Sequence, residues 1–167
     1  MTEFTRLLDL QLYSDDQFKL TVGDESRTGS LYYLEIDPKS PDESCSPENG
    51  LARLLGGWLT RLTVDYDEML CYLPFDFADE CTQWLACEKS GSLVNIVFGW
   101  APVEGWAVSP CEFRSCADSL ESFTPNEPLH IQTFYLPRLL SELRRLISRL
   151  NSLPRGRDDA ELRPPQA

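Results

Sequence analysis

The chain has 167 residues, 42% hydrophobic and 11% aromatic, so it can bury one substantial core and is not expected to be disordered throughout. Its 27 acidic residues exceed its 15 basic ones, and the excess lies in residues 1–137, because residues 138–167 hold four acidic and seven basic residues. A net charge of −12 repels nucleic acid and anionic membranes, and it favours a basic protein partner.

The first forty residues predict an antiparallel meander of three strands. Apolar and polar residues alternate over residues 6–13 and again over 18–22, with a turn between them. We predict a loop from Gly23 to Gly29 and a third strand at Leu31–Ile36.

An acidic loop with several prolines, residues 37–49, precedes a predicted amphipathic helix. Ser46 suits the N-cap and Pro47 the first helical position, and apolar residues recur with helical spacing from Leu51 to Leu62. Gly56 and Gly57 inside this helix each lower helix propensity by about 1 kcal/mol. We therefore expect them to mark close backbone packing, with a ligand site as the alternative.

The second half of the chain predicts five more strands and a second amphipathic helix. The strands are expected at residues 69–73, 82–88, 93–98, 105–113 and 129–135, with a loop at 74–80. Residues 93–98 are nearly all apolar, which indicates a central strand. The helix is predicted to begin at Pro137 and to end near Asn151.

Strands without helices between them favour an α+β fold, with a single curved antiparallel sheet of six to eight strands and two amphipathic helices. We expect one domain at residues 1–153. The polar, proline-containing residues 154–167 are predicted to form a disordered tail.

No arrangement of residues predicts catalysis or a bound cofactor. His130 is the single histidine, and at the start of an apolar strand it suits a structural role better than that of a catalytic base. There is no glycine-rich phosphate-binding motif, and the acidic clusters lack calcium-loop spacing. We expect no enzymatic activity, no cofactor and no metal, with an enzyme using an acidic metal site as the weakest alternative.

The cysteines predict a reducing compartment, and the short apolar stretches predict a soluble protein. The six cysteines contain no CxxC pair, so reduced thiols are expected rather than zinc ligands or disulfides: Cys45, Cys71, Cys81, Cys87, Cys111 and Cys116. No basic segment followed by an apolar run appears in the first thirty residues, and no stretch reaches the about 20 apolar residues that span a membrane. We therefore predict a cytoplasmic protein.

Acidic residues stand next to aromatic ones in three places, and this pattern predicts a partner-binding surface. Aromatic side chains anchor interfaces, and carboxylates at the rim steer a basic partner into place. The alternative is that Phe75, Phe77 and Trp106 belong to the core. The predicted partner-binding residues are Asp65, Tyr66, Asp67, Glu68, Asp76, Asp79, Glu80, Glu104 and Trp106.

About a quarter of the chain resembles a known group of proteins. Residues 73–80 (LPFDFADE), 84–85 (WL) and 99–110 (GWAPVEGWAVSP) are similar to a pattern in small acidic bacterial proteins, many of them immunity proteins of secreted polymorphic, type VI-like toxins. The resemblance implies a protein that occludes the active site or substrate groove of its toxin and has no catalytic residues of its own.

Composition and resemblance together predict an inhibitor of a basic toxin that acts in the cytosol. A nuclease is the favoured target, because a negative surface suits a groove that binds phosphates. The alternative is an adaptor or chaperone that loads a secreted effector. Both a monomer and a homodimer remain open.

Overall fold

The computed structural model describes residues 6–13, 16–35, 46–64, 70–110 and 112–153. The predicted tail at 154–167 and most of the predicted loop at 37–49 lie outside the described residues. The strands are β1 (Leu8–Leu12), β2 (Gln17–Val22), β3 (Glu25–Ser30), β4 (Leu70–Phe77), β5 (Thr82–Ser90), β6 (Leu93–Ala101), β7 (Thr124–Pro125) and β8 (Gln132–Tyr135). The helices are α1 (Pro47–Val64), α2 (Arg114–Ala117) and α3 (Leu136–Ser152), with 3₁₀ turns at Tyr32–Leu34 and Gly105–Ala107.

The described strands form two antiparallel sheets. The first has the order β1-β2-β3, and the second has the order β4-β5-β6 with both β7 and β8 paired to the far edge of β6. The α+β class, the antiparallel pairing and the central position of residues 93–98 are therefore confirmed. The strands divide between two sheets instead of one, because after β3 the chain turns away and passes through α1 before it enters β4.

One apolar core joins both sheets to the two long helices. A small void marks the point where they meet, and its walls come from β1, β2, α1, β4, β5, β6 and α3: Leu8, Val22, Trp58, Leu62, Leu73, Leu85, Ile96, Leu139 and Leu143. The side chains of these residues are almost fully buried. Neither sheet could bury its apolar face without the helices.

Both predicted amphipathic helices are confirmed. The Ser46 hydroxyl accepts a hydrogen bond from the Asn49 amide at 3.3 Å, as expected of an N-cap residue. Inside α1, the indole of Trp58 donates to the carbonyl of Pro74 at 2.7 Å and fixes the helix against β4. The buried stripe of α3 consists of Leu136, Leu139, Leu143, Leu146 and Leu150.

The polar side of α3 protects the open edge of the first sheet. Arg145 donates to the carbonyl of Leu8 at 3.2 Å, and Arg149 donates to the carbonyl of Leu10. Arg149 also lies 3.4 Å from the Asp9 carboxylate. The guanidinium groups therefore occupy acceptors on β1 with which another strand could otherwise pair.

The first part of the chain differs from prediction after Gly23. This glycine has a φ of 61° and forms a tight turn, so residues 25–30 are strand β3 where we predicted a loop. The predicted third strand at 31–36 is wrong, because Tyr32–Leu34 is a 3₁₀ turn. Strand β3 is mostly polar, and hydrophobic alternation does not detect such a strand.

Two predictions in the second sheet are also wrong. The predicted loop at 74–80 is largely strand, since β4 continues to Phe77 with an irregularity in register between Pro74 and Asp76. Proline is tolerated there because β4 is an edge strand. The predicted strand at 105–113 is absent from the described residues of that range, where Gly105–Ala107 is a 3₁₀ turn, and α2 begins at Arg114. The last strand is shorter than predicted and begins at Gln132.

Gly56 does not support close packing. A Cβ atom added at this position would meet no neighbouring atom within 4 Å. The expected close approach of another backbone is therefore wrong for Gly56.

In the described part of the chain, no helix has the length and apolar character required to cross a bilayer.

We predict that Gly56→Ala stabilises the protein by about 0.5–1 kcal/mol, because alanine has the higher helix propensity and the site has room for a methyl group. Urea unfolding of the variant and the parent protein measures the difference. Gly50→Ala is the matched control in the same helix, since its Cβ would overlap the carbonyl of Leu34, and it should destabilise. A loss of stability in Gly56→Ala would contradict the prediction.

Candidate partner-binding surface

Two turns that are distant in sequence lie side by side at one end of the second sheet. The amide of Gly105 donates to the carbonyl of Ala78 at 2.7 Å, next to the turn that joins β4 to β5. A Cβ at Gly105 would lie 2.7 Å from the same oxygen, so glycine permits the close approach. Because of this contact, Asp79 and Glu80 stand close in space to Glu104 and Trp106.

The 3₁₀ turn after β3 joins the same end of the molecule. The hydroxyl of Tyr33 donates to the carboxylate of Asp79, and this hydrogen bond is the main reason that the pKa of Tyr33 is raised to about 12. The negative charge of Glu104 contributes to the same shift. Tyr32 packs edge-on against Tyr33, with 5.2 Å between the ring centres.

A row across three strands adds Trp100. The registers place Asp76 of β4 opposite Gln83 of β5, and Gln83 opposite Trp100 of β6. Paired residues of adjacent antiparallel strands lie on the same face of a sheet. Trp100 therefore lies on the same face as Asp76, two strands away.

We call this end of the molecule the acidic–aromatic surface. Three of its rings are well exposed, with relative exposures of 65% for Tyr32, 42% for Trp100 and 70% for Trp106. Beside them, Tyr32, Tyr33, Asp76 and Asp79 line an open groove of about 600 Å³ between β3 and β4. The surface comprises Tyr32, Tyr33, Asp76, Asp79, Glu80, Trp100, Glu104 and Trp106.

Asp76 has a different environment from the other carboxylates of the surface. It is half-buried, and it accepts hydrogen bonds from the amide of Ser30 at 2.9 Å and from Gln83 at 3.0 Å. Burial raises the pKa of Asp76, and its hydrogen bonds offset part of that shift. Because Ser30 belongs to β3, Asp76 connects the two sheets as well as lining the groove.

The structure brings together five of the predicted partner-binding residues: Asp76, Asp79, Glu80, Glu104 and Trp106. The other four predicted residues, Asp65, Tyr66, Asp67 and Glu68, lie outside the described residues. The alternative that the aromatics belong to the core holds for Phe75 and Phe77, which are buried, but not for the exposed Trp106.

Sequence reasoning missed Tyr32, Tyr33 and Trp100. The two tyrosines fell within the segment that we predicted to be the third strand, Leu31–Ile36. Trp100 lies just beyond the predicted strand at 93–98 and has no acidic residue next to it in the sequence. One signal was available, since the segment 99–110, which resembles immunity proteins, contains Trp100 together with Glu104 and Trp106.

The structure gives His130 a surface contact. Its Nε2 atom lies 2.9 Å from the Asp24 carboxylate, and both side chains are exposed. Within the ranges that the structure describes, no group of three or more His, Cys, Asp or Glu residues is placed to hold a metal ion.

The sequence matches no family model and no curated protein. The fold is similar to that of a chain from the CdiA-CT/CdiI toxin and immunity complex of Enterobacter cloacae, with a TM-score of 0.50 and 10% sequence identity. The matched region covers 87% of this chain and 99% of that chain. At this identity, the similarity establishes a shared fold.

We predict that Asp76 makes the protein more stable as the pH falls from neutral. The carboxyl group has a raised pKa in the folded state, so it holds its proton more tightly in the folded chain than in the unfolded chain. Its contribution is therefore fully present below the ordinary pKa of 3.8 and is lost as the pH rises through the raised pKa.

The measurement is urea unfolding of the parent protein and Asp76→Asn at about pH 7 and about pH 4. The free energy of unfolding of the parent should increase relative to that of the variant at the lower pH. Glu121→Gln, which removes one negative charge from an exposed position, should show no such relative change. An equal pH response of the parent protein and Asp76→Asn would refute the assignment.

Proposed function

We propose that this protein is an immunity protein, which binds a cognate bacterial toxin and inhibits it with the acidic–aromatic surface. The observation that carries the proposal is the convergence of Asp79, Glu80 and Glu104 with three exposed aromatic rings at one end of the molecule. This combination suits a protein interface, since aromatic anchors supply contact energy and nearby carboxylates accelerate the approach of a basic partner.

The fold comparison supports the same role. The similar chain belongs to a toxin and immunity complex, and nearly its whole length is matched. The resemblance of residues 73–80 and 99–110 to immunity proteins concerns the two segments that supply six of the eight residues of the acidic–aromatic surface. Sequence pattern and fold therefore point to one function, although they are separate observations.

We further propose that the toxin is a basic nuclease that acts in the cytosol. A nuclease must hold the phosphates of its substrate in a positive groove, and carboxylates can occupy that groove in their place. The net charge of −12 supports this choice of target over a toxin with an acidic surface. The protein itself would supply no catalytic group and would act by occlusion.

The first experiment captures the partner and then measures its activity. We expect the tagged full chain to retain a basic protein from the producing cell at low salt, and less of it at high salt, because rim charges are screened. The recovered partner should cleave nucleic acid when alone and lose that activity on addition of a molar equivalent of this protein. Full cleavage with the complex intact would instead identify an adaptor or chaperone.

The second experiment reverses charges on the proposed surface. Glu80→Lys combined with Glu104→Lys should lower the association rate with the captured toxin about tenfold or more at low salt, because the approach loses its steering. Asp24→Lys with Glu88→Lys changes the net charge equally at exposed positions outside the acidic–aromatic surface, and it should have a smaller effect. Equal rates for the two pairs would refute the location of the interface.

The same kinetic measurement on Trp106→Ala tests the aromatic anchor. Truncation of a central interface aromatic typically weakens binding by about 2 kcal/mol or more, mostly through faster dissociation. Because Trp106 is 70% exposed, the free variant should unfold at the same urea concentration as the parent protein. An unchanged dissociation rate would remove Trp106 from the interface.

A further inference from the structure

Two cysteines outside the acidic–aromatic surface face each other across adjacent strands. Cys71 of β4 is the register partner of Cys87 of β5. Directly opposed residues in an antiparallel pair have Cα atoms about 4.5–5.5 Å apart, within the range of about 4.4–6.8 Å found in disulfides. The backbone spacing expected of this register pair is therefore compatible with a bond between them.

Both side chains point into the core and lie next to each other. Each cysteine is completely buried. A hydrogen bond between the two thiols raises the pKa of Cys87, and burial raises it further. The pair is also free of disulfide bonds in this structure, as are Cys81 and Cys116.

We propose that Cys71 and Cys87 form an intramolecular disulfide when the chain folds in the presence of a small disulfide oxidant such as oxidised glutathione. This inference is independent of the proposed function. It assigns the pair as a site of covalent modification, and Cys81 and Cys116 are excluded because neither has a cysteine opposite it in the sheet.

The reaction is thiol–disulfide exchange. The thiolate of one cysteine attacks a sulfur of the oxidant, forms a mixed disulfide and expels one small thiolate. The second cysteine thiolate then attacks the protein sulfur of the mixed disulfide, which closes the Cys71–Cys87 bond and expels the other small thiolate. The protein loses two electrons and two protons, and the oxidant becomes two thiols.

Burial determines when this reaction occurs. A thiol must be deprotonated and reachable to attack, and in the folded protein both cysteines are enclosed and Cys87 resists deprotonation. The bond therefore forms during folding, or when the β4–β5 hairpin opens, and the core then shields it from reductants.

The bond would stabilise the hairpin whose turn carries Asp79 and Glu80. It closes a loop of about 15 residues, for which the chain-entropy model gives roughly a hundredfold shift of the folding equilibrium towards the native state. The reduced and oxidised proteins should therefore differ measurably in stability.

The test refolds the full chain from urea in a buffer of oxidised and reduced glutathione, followed by acid quenching, alkylation and peptide mapping. We expect a peptide pair linked through Cys71 and Cys87, with Cys81 and Cys116 alkylated. The unfolding equilibrium constant should be about a hundredfold smaller for the oxidised protein than for the same protein under reductant.

A variant with serine at Cys45, Cys81, Cys111 and Cys116 leaves the proposed pair as the sole cysteines, and it should give the same bond. Adding Cys87→Ala to it should abolish the bond and the difference in stability between oxidising and reducing buffers. Alkylation of both Cys71 and Cys87 after oxidative refolding, a predominant bond to another cysteine, or an oxidised form less stable than the reduced one would each overturn the proposal.

Discussion

The fold depends on a single apolar core that two sheets and two helices share. Each sheet has an apolar face that α1 and α3 cover together, with Trp58, Leu62, Leu139 and Leu143 meeting residues of both sheets around one small void. Loss of either helix would expose apolar surface on both sheets. The core therefore fixes the orientation of the two sheets, and with it the position of every residue at their ends.

Among the described residues, polar contacts connect the two sheets near Ser30 and near the β2–β3 turn. Asp76 of the second sheet accepts the amide of Ser30 in the first, and Gln132 of β8 contacts the β2–β3 turn. The Gln132 side chain donates to the carbonyl of Val22 at 2.8 Å and accepts from the amide of Asp24 at 3.1 Å. Because hydrogen bonds depend on distance and direction, these contacts favour one relative position of the sheets among those that the core alone would permit.

The fold gives several basic side chains and the carboxylates of the acidic–aromatic surface different environments. Arg145 and Arg149 of the basic carboxyl-terminal part contact β1, and Arg61 of α1 is buried in an ion pair with Asp118. These cations contribute to internal contacts, whereas Glu80 and Glu104 remain exposed at the end of the second sheet. The proposed partner-binding role rests on these exposed carboxylates and on the exposed aromatic rings beside them.

The sequence by itself determined the α+β class, the two amphipathic helices, the central strand of the second sheet and the pairing of acidic with aromatic residues. The helices rest on local periodicity, because burying one face imposes a repeat of 3.6 residues on a helix. The central strand rests on a continuous apolar run, and the acidic–aromatic pairing rests on residues adjacent in the sequence. Tertiary structure decided the split into two sheets, the polar strand β3, the continuation of β4 through Pro74, and the approach of Ala78 to Gly105 that unites the acidic–aromatic surface. These features arise from contacts between residues distant in sequence, and such contacts leave no periodic trace in the chain.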